Sequence, residues 1–210
     1  MQSDSDILLI DKPKGITSFD VIRLLRKKLG IRKMGHSGTL DPLATGLLLI
    51  GVGEGTKKLS QLIGLPKTYE AEILLGIKTD TGDITGKILV ERVIPKLSKE
   101  LLDNVLVGMV GEHMLTVPMY SAIKKDGKAL YAYAREGIDI EAPKKPMKVT
   151  HIKLLKMDQK VFTVFFEVSS GTYIRTLAEL IAERLGTVGT IANLRRLSVG
   201  RYNVRDAETL

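Results

Sequence analysis

In "MGHSGTLDPLATGLLLIGVG", residues 34–53, one carboxylate stands against a proline and is followed at once by an apolar run. Pro42 disfavours helical geometry at the residue before it and so pushes Asp41 into an extended or turn conformation, while Gly35 and Gly38 let the preceding backbone bend tightly. The "LLLIGV" that follows has to be buried, which places Asp41 at the mouth of a core, where desolvation favours the protonated acid unless a partner stabilises the anion. An Asx-turn or a helix N-cap is the competing use of an Asp in this setting. Arg175, in "SSGTYIRTLAELIAERLG", falls in the first turn of a helix, where the macrodipole disfavours a cation by roughly 0.3 to 1 kcal/mol. A carboxylate elsewhere would account for it, and so would a solvated surface position. Tyr69, in "TYEAEILLG", shares a strand face with Ala71, Ile73 and Leu75; by itself it reads as a core tyrosine with a satisfied hydroxyl.

The formal net charge of +8 over 210 residues favours a polyanionic partner. The excess is clustered. Arg23, Arg26, Lys27, Lys28, Arg32 and Lys33 run into the Gly-His loop, and Arg195, Arg196, Arg201 and Arg205 gather near the other end. Lys124, Lys125 and Lys128, then Lys144, Lys145 and Lys148, form two further basic loops. Such clusters suit a phosphate backbone, with Arg23, Lys27, Arg32, Lys33, Lys124 and Arg196 as the candidate contacts. Cysteine is absent, which removes disulfide scaffolds, thiolate nucleophiles and Cys-ligated zinc. A metal-dependent hydrolase built on His36, Asp41, Asp80 and Asp83 fails on spacing, because the other histidines, His113 and His151, lie on unrelated elements. No apolar window is long enough for a membrane span and the N-terminus is not signal-like, so a cytoplasmic protein is expected.

These residues have to be positioned by a mixture of strands and helices that lacks a regular βαβ rhythm. "DILLID" reads as a first strand. "TSFDVIRLLRKKLG" reads as a helix with Thr17 or Ser18 as N-cap, Ile22, Leu25 and Leu29 inward, and Gly30 at its end. "TYEAEILLGIKT" and "GKILVERV" are expected to pair through the turn-rich "DTGDITG". Helices are expected from Ser98 and behind the Asp126-Gly127 turn, and residues 147–157 and 160–170 alternate as an antiparallel hairpin. In the helix that carries Arg175, Ile174, Leu177, Ala178, Ile181 and Leu185 make one stripe, and "ANLRRLSVGRYNV" reads as a last strand. The composition, 44% hydrophobic and 27% charged, with no repeat or linker, fits one α/β unit of α+β type over residues 1–210.

"GHSGTLDPLATGLLLIGVGEGTK" resembles the signature loop of the TruB-type tRNA pseudouridine-55 synthases. The likeness continues through "LLIDKPKGITS", "KTYEAEILLGIKTDTGDITG", "VPMYSAIKKDGKALYAYAREG", "VSSGTYIRTLAELIAERLG" and "NLRRLSVGRY", in the family's order and over nearly the whole chain. It implies a pseudouridine synthase fold: a mixed, mostly antiparallel central sheet flanked by helices and loops, with an active-site cleft across it. It implies a reaction, isomerisation of a uridine in the tRNA T-loop, position 55 in tRNA numbering, to pseudouridine after base flipping. Asp41 matches the family's nucleophile, Arg175 the cation paired with it, and Tyr69 the ring that stacks on the target base. His36 resembles the residue that enters the RNA loop near the vacated base. Tyr173 and Leu194 match pocket-lining positions, Lys12 and Pro13 a supporting motif, and Asp83 an acidic member of the polar network. The isomerisation is neutral in redox and implies no cofactor and no metal. The expected partner is the T-arm of tRNA, with no membrane and a monomeric enzyme. Many family members continue into a small C-terminal RNA-binding module, which these 210 residues do not include. A catalytically inactive RNA-binding or tRNA-folding module is the rival reading; it could dispense with Asp41 or Arg175, and both are present.

Overall fold

A computed structural model of the chain describes residues 6–210. In chain order its elements are β1 (Ile7–Lys12), α1 (Ser18–Leu29), β2 (Met34–His36), β3 (Thr45–Val52), α2 (Leu59–Ile63), β4 (Lys67–Leu75), β5 (Ile77–Thr79), β6 (Ile88–Glu91), α3 (Lys99–Val107) and β7 (Gly111–Thr116). There follow β8 (Lys124–Lys125), β9 (Lys128–Ala129), α4 (Leu130–Glu136), β10 (Lys144–Met157), β11 (Val161–Val168), α5 (Ile174–Arg184), β12 (Gly189–Val199), β13 (Tyr202–Asn203) and β14 (Glu208–Thr209). The backbone divides into two compact units. One runs to Glu70 and takes in Asn193–Leu210; the other is Ala71–Ala192. The strands β4 and β12 pass from one unit into the other.

In the first unit β3 lies between β1, antiparallel, and β12, parallel, with β14 added in parallel beyond β1 and β2 paired antiparallel to β3. The run Leu47–Ile50 is fully buried, because β3 is covered on both faces. Val21, Ile22 and Leu25 of α1 pack on Ile10, Leu48 and Ile50 on one face, and Leu59 and Leu62 of α2 pack with Leu47, Leu49 and Val199 on the other. Each such side chain contributes about 1.5–3 kcal/mol relative to exposure. Thr17 is the N-cap of α1 in a capping box with Asp20, and Gly30 closes the helix in the left-handed conformation. The packed stripe ends at Leu25. Leu29, expected inward, lies in the final turn beyond it and is 45% exposed.

In the second unit the long β10 pairs antiparallel with β7 on one side and β11 on the other, and β4 follows β11. The 147–157 and 160–170 hairpin is present, and α5 buries Ile174, Leu177, Ala178, Ile181 and Ala182 as its stripe requires. The pair expected between residues 68–79 and 86–93 is much shorter: β6 pairs only with β5, Ile77–Thr79. Gly76, at φ +89°, breaks the extended run, and its N–H turns to the Val188 carbonyl instead. β8 and β9 form a hairpin whose turn residues Asp126 and Gly127 have φ of 53° and 80°, both positive as a type I′ turn demands.

Candidate active site

Asp41 lies half-buried in the irregular segment between β2 and β3. Its own carbonyl accepts from the Ala44 N–H at 3.0 Å, which makes the turn that Pro42 favours. The neighbours on either side are pinned. Ser18, at the first position of α1, accepts from the Leu40 N–H at 2.8 Å and donates to the Leu40 carbonyl at 3.0 Å. Thr17 does the capping, which leaves the buried Ser18 hydroxyl to hold the residue that precedes Asp41. The Pro42 carbonyl, just after it, accepts from the Gly15 N–H at 2.7 Å.

Lys12 completes that side. Its Nζ donates to the carbonyls of Pro13 at 2.9 Å and Ile16 at 2.7 Å and reaches that of Pro42 at 3.5 Å, so one fully buried ammonium ties the residues after β1 to the Asp41 loop. Burial lowers its pKa to about 8, the Asp41 carboxylate opposes that shift, and the Arg196 guanidinium adds to it. Pro13 is exposed and takes part through its carbonyl.

Arg196 is the largest departure from the sequence-based expectation. Read as a phosphate contact, it is instead 1% exposed, with Nε donating to the Leu47 carbonyl at 2.7 Å and Nη2 to the Gly38 carbonyl at 3.1 Å. A side chain so enclosed cannot reach an RNA backbone; it braces the glycine turn that precedes Asp41. Opposite it in the β3 ladder is Gly46, at φ +101°, where a Cβ would lie 2.2 Å from the Arg196 carbonyl oxygen. Only glycine lets the two strands approach there. The neighbouring Arg195 points the other way, onto Asp11, with two hydrogen bonds of 2.7 and 3.0 Å that raise its pKa.

His36 ends β2, and its Nδ1 accepts from the Gly38 N–H at 3.3 Å. Burial, and then Arg196, lower its pKa, so the ring is neutral near pH 7. Tyr69, on the buried face of β4, is 7% exposed, and Leu194, on β12, is 8% exposed. The remaining candidates for phosphate contact in this unit, Arg23, Lys27, Arg32 and Lys33, are all exposed, with Lys33 also bonded to Glu54.

Arg175, Tyr173 and Asp83 belong to the second unit. Arg175 is 5% exposed, which excludes a solvated surface role. Its Nη1 donates to the Thr81 carbonyl at 2.6 Å and its Nη2 to the Tyr120 carbonyl at 2.9 Å, and Gly82 packs against its stem. These charge-assisted bonds offset the unfavourable helix dipole at the start of α5. Asp83 acts on the same loop. Its Oδ1 accepts from the Thr81 hydroxyl at 3.0 Å, the Thr85 N–H at 2.9 Å and the Thr85 hydroxyl at 2.5 Å, so a buried carboxylate ties the turn that presents the Thr81 carbonyl. Tyr173, the extended residue at which α5 begins, packs on Val117, Leu130 and Met147. Lys124, on β8, is exposed.

Thr81 and Tyr120 act through backbone carbonyls, which residue type does not signal, and Ser18, offered by its type as an alternative N-cap, holds Leu40 instead. Among the described residues, no group of three or more His, Cys, Asp or Glu side chains could hold a metal, and no helix is long and apolar enough to cross a membrane.

The chain matches the model of the TruB family pseudouridylate synthase N-terminal domain over residues 26–174. It is 47% identical over 204 residues to tRNA pseudouridine synthase B of Caldicellulosiruptor saccharolyticus, a match covering 97% of this chain and 70% of that one. It is 42% identical over 211 residues to the protein of the same name from Psychrobacter cryohalolentis, covering 98% and 59%. A solved chain from a Cbf5-Nop10-Gar1 complex superposes with a TM-score of 0.76 at 25% identity, covering 97% of this chain and 52% of its own. The present chain thus spans between half and 70% of the length of these proteins.

Proposed function

Because the chain belongs to the TruB family of pseudouridylate synthases, we propose that it isomerises a uridine in the T-loop of tRNA to pseudouridine, with Asp41 as nucleophile. The observation that carries this reading is the bracing of Asp41: a half-buried carboxylate whose two neighbours are fixed by Ser18, Gly15 and Lys12, with a buried cation acting on it electrostatically. A nucleophile needs this combination of ionisation and fixed geometry, whereas an Asx-turn alone does not. The net reaction breaks the bond from N1 of uracil to C1′, rotates the base, joins C5 to C1′, and releases the C5 proton while N1 takes up a proton from solvent. A flipped uridine costs a few kcal/mol to expose, repaid by stacking and phosphate contacts. In this reading Tyr69 stacks on the base, Tyr173 and Leu194 line its pocket, Arg175 pairs with Asp41, and His36 enters the RNA loop as a neutral ring. Lys12, Pro13 and Asp83 position these groups, and Arg23, Lys27, Arg32, Lys33 and Lys124 meet phosphates. The two units work as one catalytic domain of a monomeric, cytoplasmic enzyme that acts on the T-arm.

The test is tritium release from an unmodified tRNA transcript carrying 5-tritiated uridine, in the presence of chelator, with the product position mapped. Release with product in the T-loop is expected. No release rejects the enzyme, release abolished by chelator rejects the metal-free chemistry, and a product elsewhere rejects the substrate.

A further inference from the structure

Helix α1 presents a feature that neither the catalytic loop nor the core uses. Phe19, Arg23 and Arg26 fall at positions i, i+4 and i+7 on one stripe of the helix. Phe19 is 54% exposed, and the guanidinium groups of Arg23 and Arg26 lie 6.0 and 5.7 Å from its ring centroid. An exposed ring with two flanking cations offers a stacking face together with positive charge, the pairing by which proteins hold unpaired bases. The charge around it points to nucleic acid. Lys27, Lys28, Arg32 and Lys33 are exposed nearby in sequence, and the sole acidic residue of α1, Asp20, is occupied by the Thr17 N–H and by Arg23. The position also suits a place beside the reacting centre, since the adjacent Ser18 holds Leu40, one residue before Asp41.

We propose that Phe19, flanked by Arg23 and Arg26, is a stacking platform for one unpaired base of the RNA, distinct from the target uridine. The inference rests on the RNA-modifying function proposed above. The ring ranks the ligand by shape and charge: any base presents a π-face, so the platform favours an unstacked nucleotide over a duplex and tolerates its sequence.

The chain contains no tryptophan, so Phe19→Trp places its single tryptophan at the platform, whose emission is excited selectively over the six tyrosines at about 295 nm. Titration of this variant with an unmodified T-arm hairpin should quench its emission, saturating at the concentration where binding saturates. Phe19→Ala should raise the Kd and the KM about tenfold, in line with the loss of one stacked base, while kcat falls less than twofold. The slope of log Kd against log salt should be unchanged, because no phosphate contact is removed. Binding of a fully paired duplex should be the same for Phe19→Ala and the wild type. Unchanged emission at saturating hairpin, a Phe19→Ala Kd within twofold of wild type, or an equal loss on the duplex each overturns the platform and leaves the face to a protein partner. Tritium release by the wild type is read separately. Absence of release with the Phe19 effects intact rejects the catalytic reading and keeps the platform, and release with no Phe19 effect does the reverse.

Discussion

The two units solve one problem with opposite signs. In the first, the group to be positioned is an anion, Asp41, and the buried charges that brace its loop are cations: Lys12 on the Pro13, Ile16 and Pro42 carbonyls, and Arg196 on Leu47 and Gly38. In the second, the group is a cation, Arg175, held by the Thr81 and Tyr120 carbonyls, and the buried charge that ties the Thr81 turn is an anion, Asp83. Lys12 and Arg196 hold their loop by donating to backbone carbonyls, and Asp83 holds the Thr81 turn by accepting from hydroxyls and an amide, so each fixes position. Lys12 and Arg196 are more deeply buried than the Asp41 they serve, whereas Asp83 and Arg175 are buried alike, and a substitution at a support should act on geometry before it acts on charge.

The largest effect expected on breaking this arrangement is at the supported groups. Asp41→Asn keeps size but removes the anionic charge that the proposed nucleophile needs, so turnover in the tritium-release assay should fall by about a thousandfold or more, with RNA affinity retained. Arg175→Met should also lose most activity, and the double variant should cost little more than Asp41→Asn alone if the two act as a pair. Residual turnover above a few per cent in Asp41→Asn removes the nucleophile assignment, and fully multiplicative losses remove the pairing.

Next comes the approach of strands that seats Arg196. Gly46→Ala places a methyl group 2.2 Å from the Arg196 carbonyl oxygen at a φ of +101° and should cost about 3 kcal/mol, read from urea unfolding midpoints. A loss under about 1 kcal/mol would show that the two strands separate without penalty.

The support in the second unit should give a smaller, purely positional loss. Asp83→Asn replaces a carboxylate oxygen that accepts from Thr81 and from the Thr85 backbone and hydroxyl, which loosens the Thr81 turn. We expect kcat to fall about tenfold or more with the pH profile unmoved, since no titrating group of the reaction is altered. A profile shifted along the pH axis would place Asp83 in the chemistry itself.

The smallest effect is in the pH dependence of stability. Burial lowers Lys12 and Lys67 to about 8 from an ordinary value of 10.5. Between those values the unfolded chain binds protons that the folded chain does not, so stability rises with pH across that window and the cost of the buried charge is fully present below it. Lys12→Met should lower that slope by up to about one proton, ~1.4 kcal/mol per pH unit at most, and leave the Lys67 part in place. An unaltered slope would mean that Lys12 is not a desolvated ion.

Much of this was legible in the sequence where a local rule acts alone. Thr17 and Gly30 mark the ends of α1, the alternation through Tyr69 gives β4 its buried face, and Asp126-Gly127 gives the β8–β9 turn. Arg196 sits in a basic cluster whose composition points to a surface, yet the structure buries it. In "LRRL" adjacent strand residues face opposite ways, so Arg195 and Arg196 were bound to part company, one to Asp11 and the other inward. Ser18 was hidden by ambiguity with Thr17, which only the capping box resolves. The Thr81 and Tyr120 carbonyls carry no side-chain signal at all, and the early end of β4 at Gly76 depends on where the Val188 carbonyl lies.

The Ser18 hydroxyl has a consequence for how this region tolerates change. Loops that carry functional residues commonly open and close independently of the elements beside them. Here the Leu40 amide is bonded to the first turn of a twelve-residue helix whose apolar stripe lies in the core, so the segment before Asp41 is released only when that turn frays. The two belong to one cooperative opening unit, and Leu40 inherits the hydrogen-exchange protection of the helix start. Insertions and substitutions that a loop would normally absorb are thus felt in α1, and weakened capping at Thr17 is felt one residue from the Asp41 carboxylate.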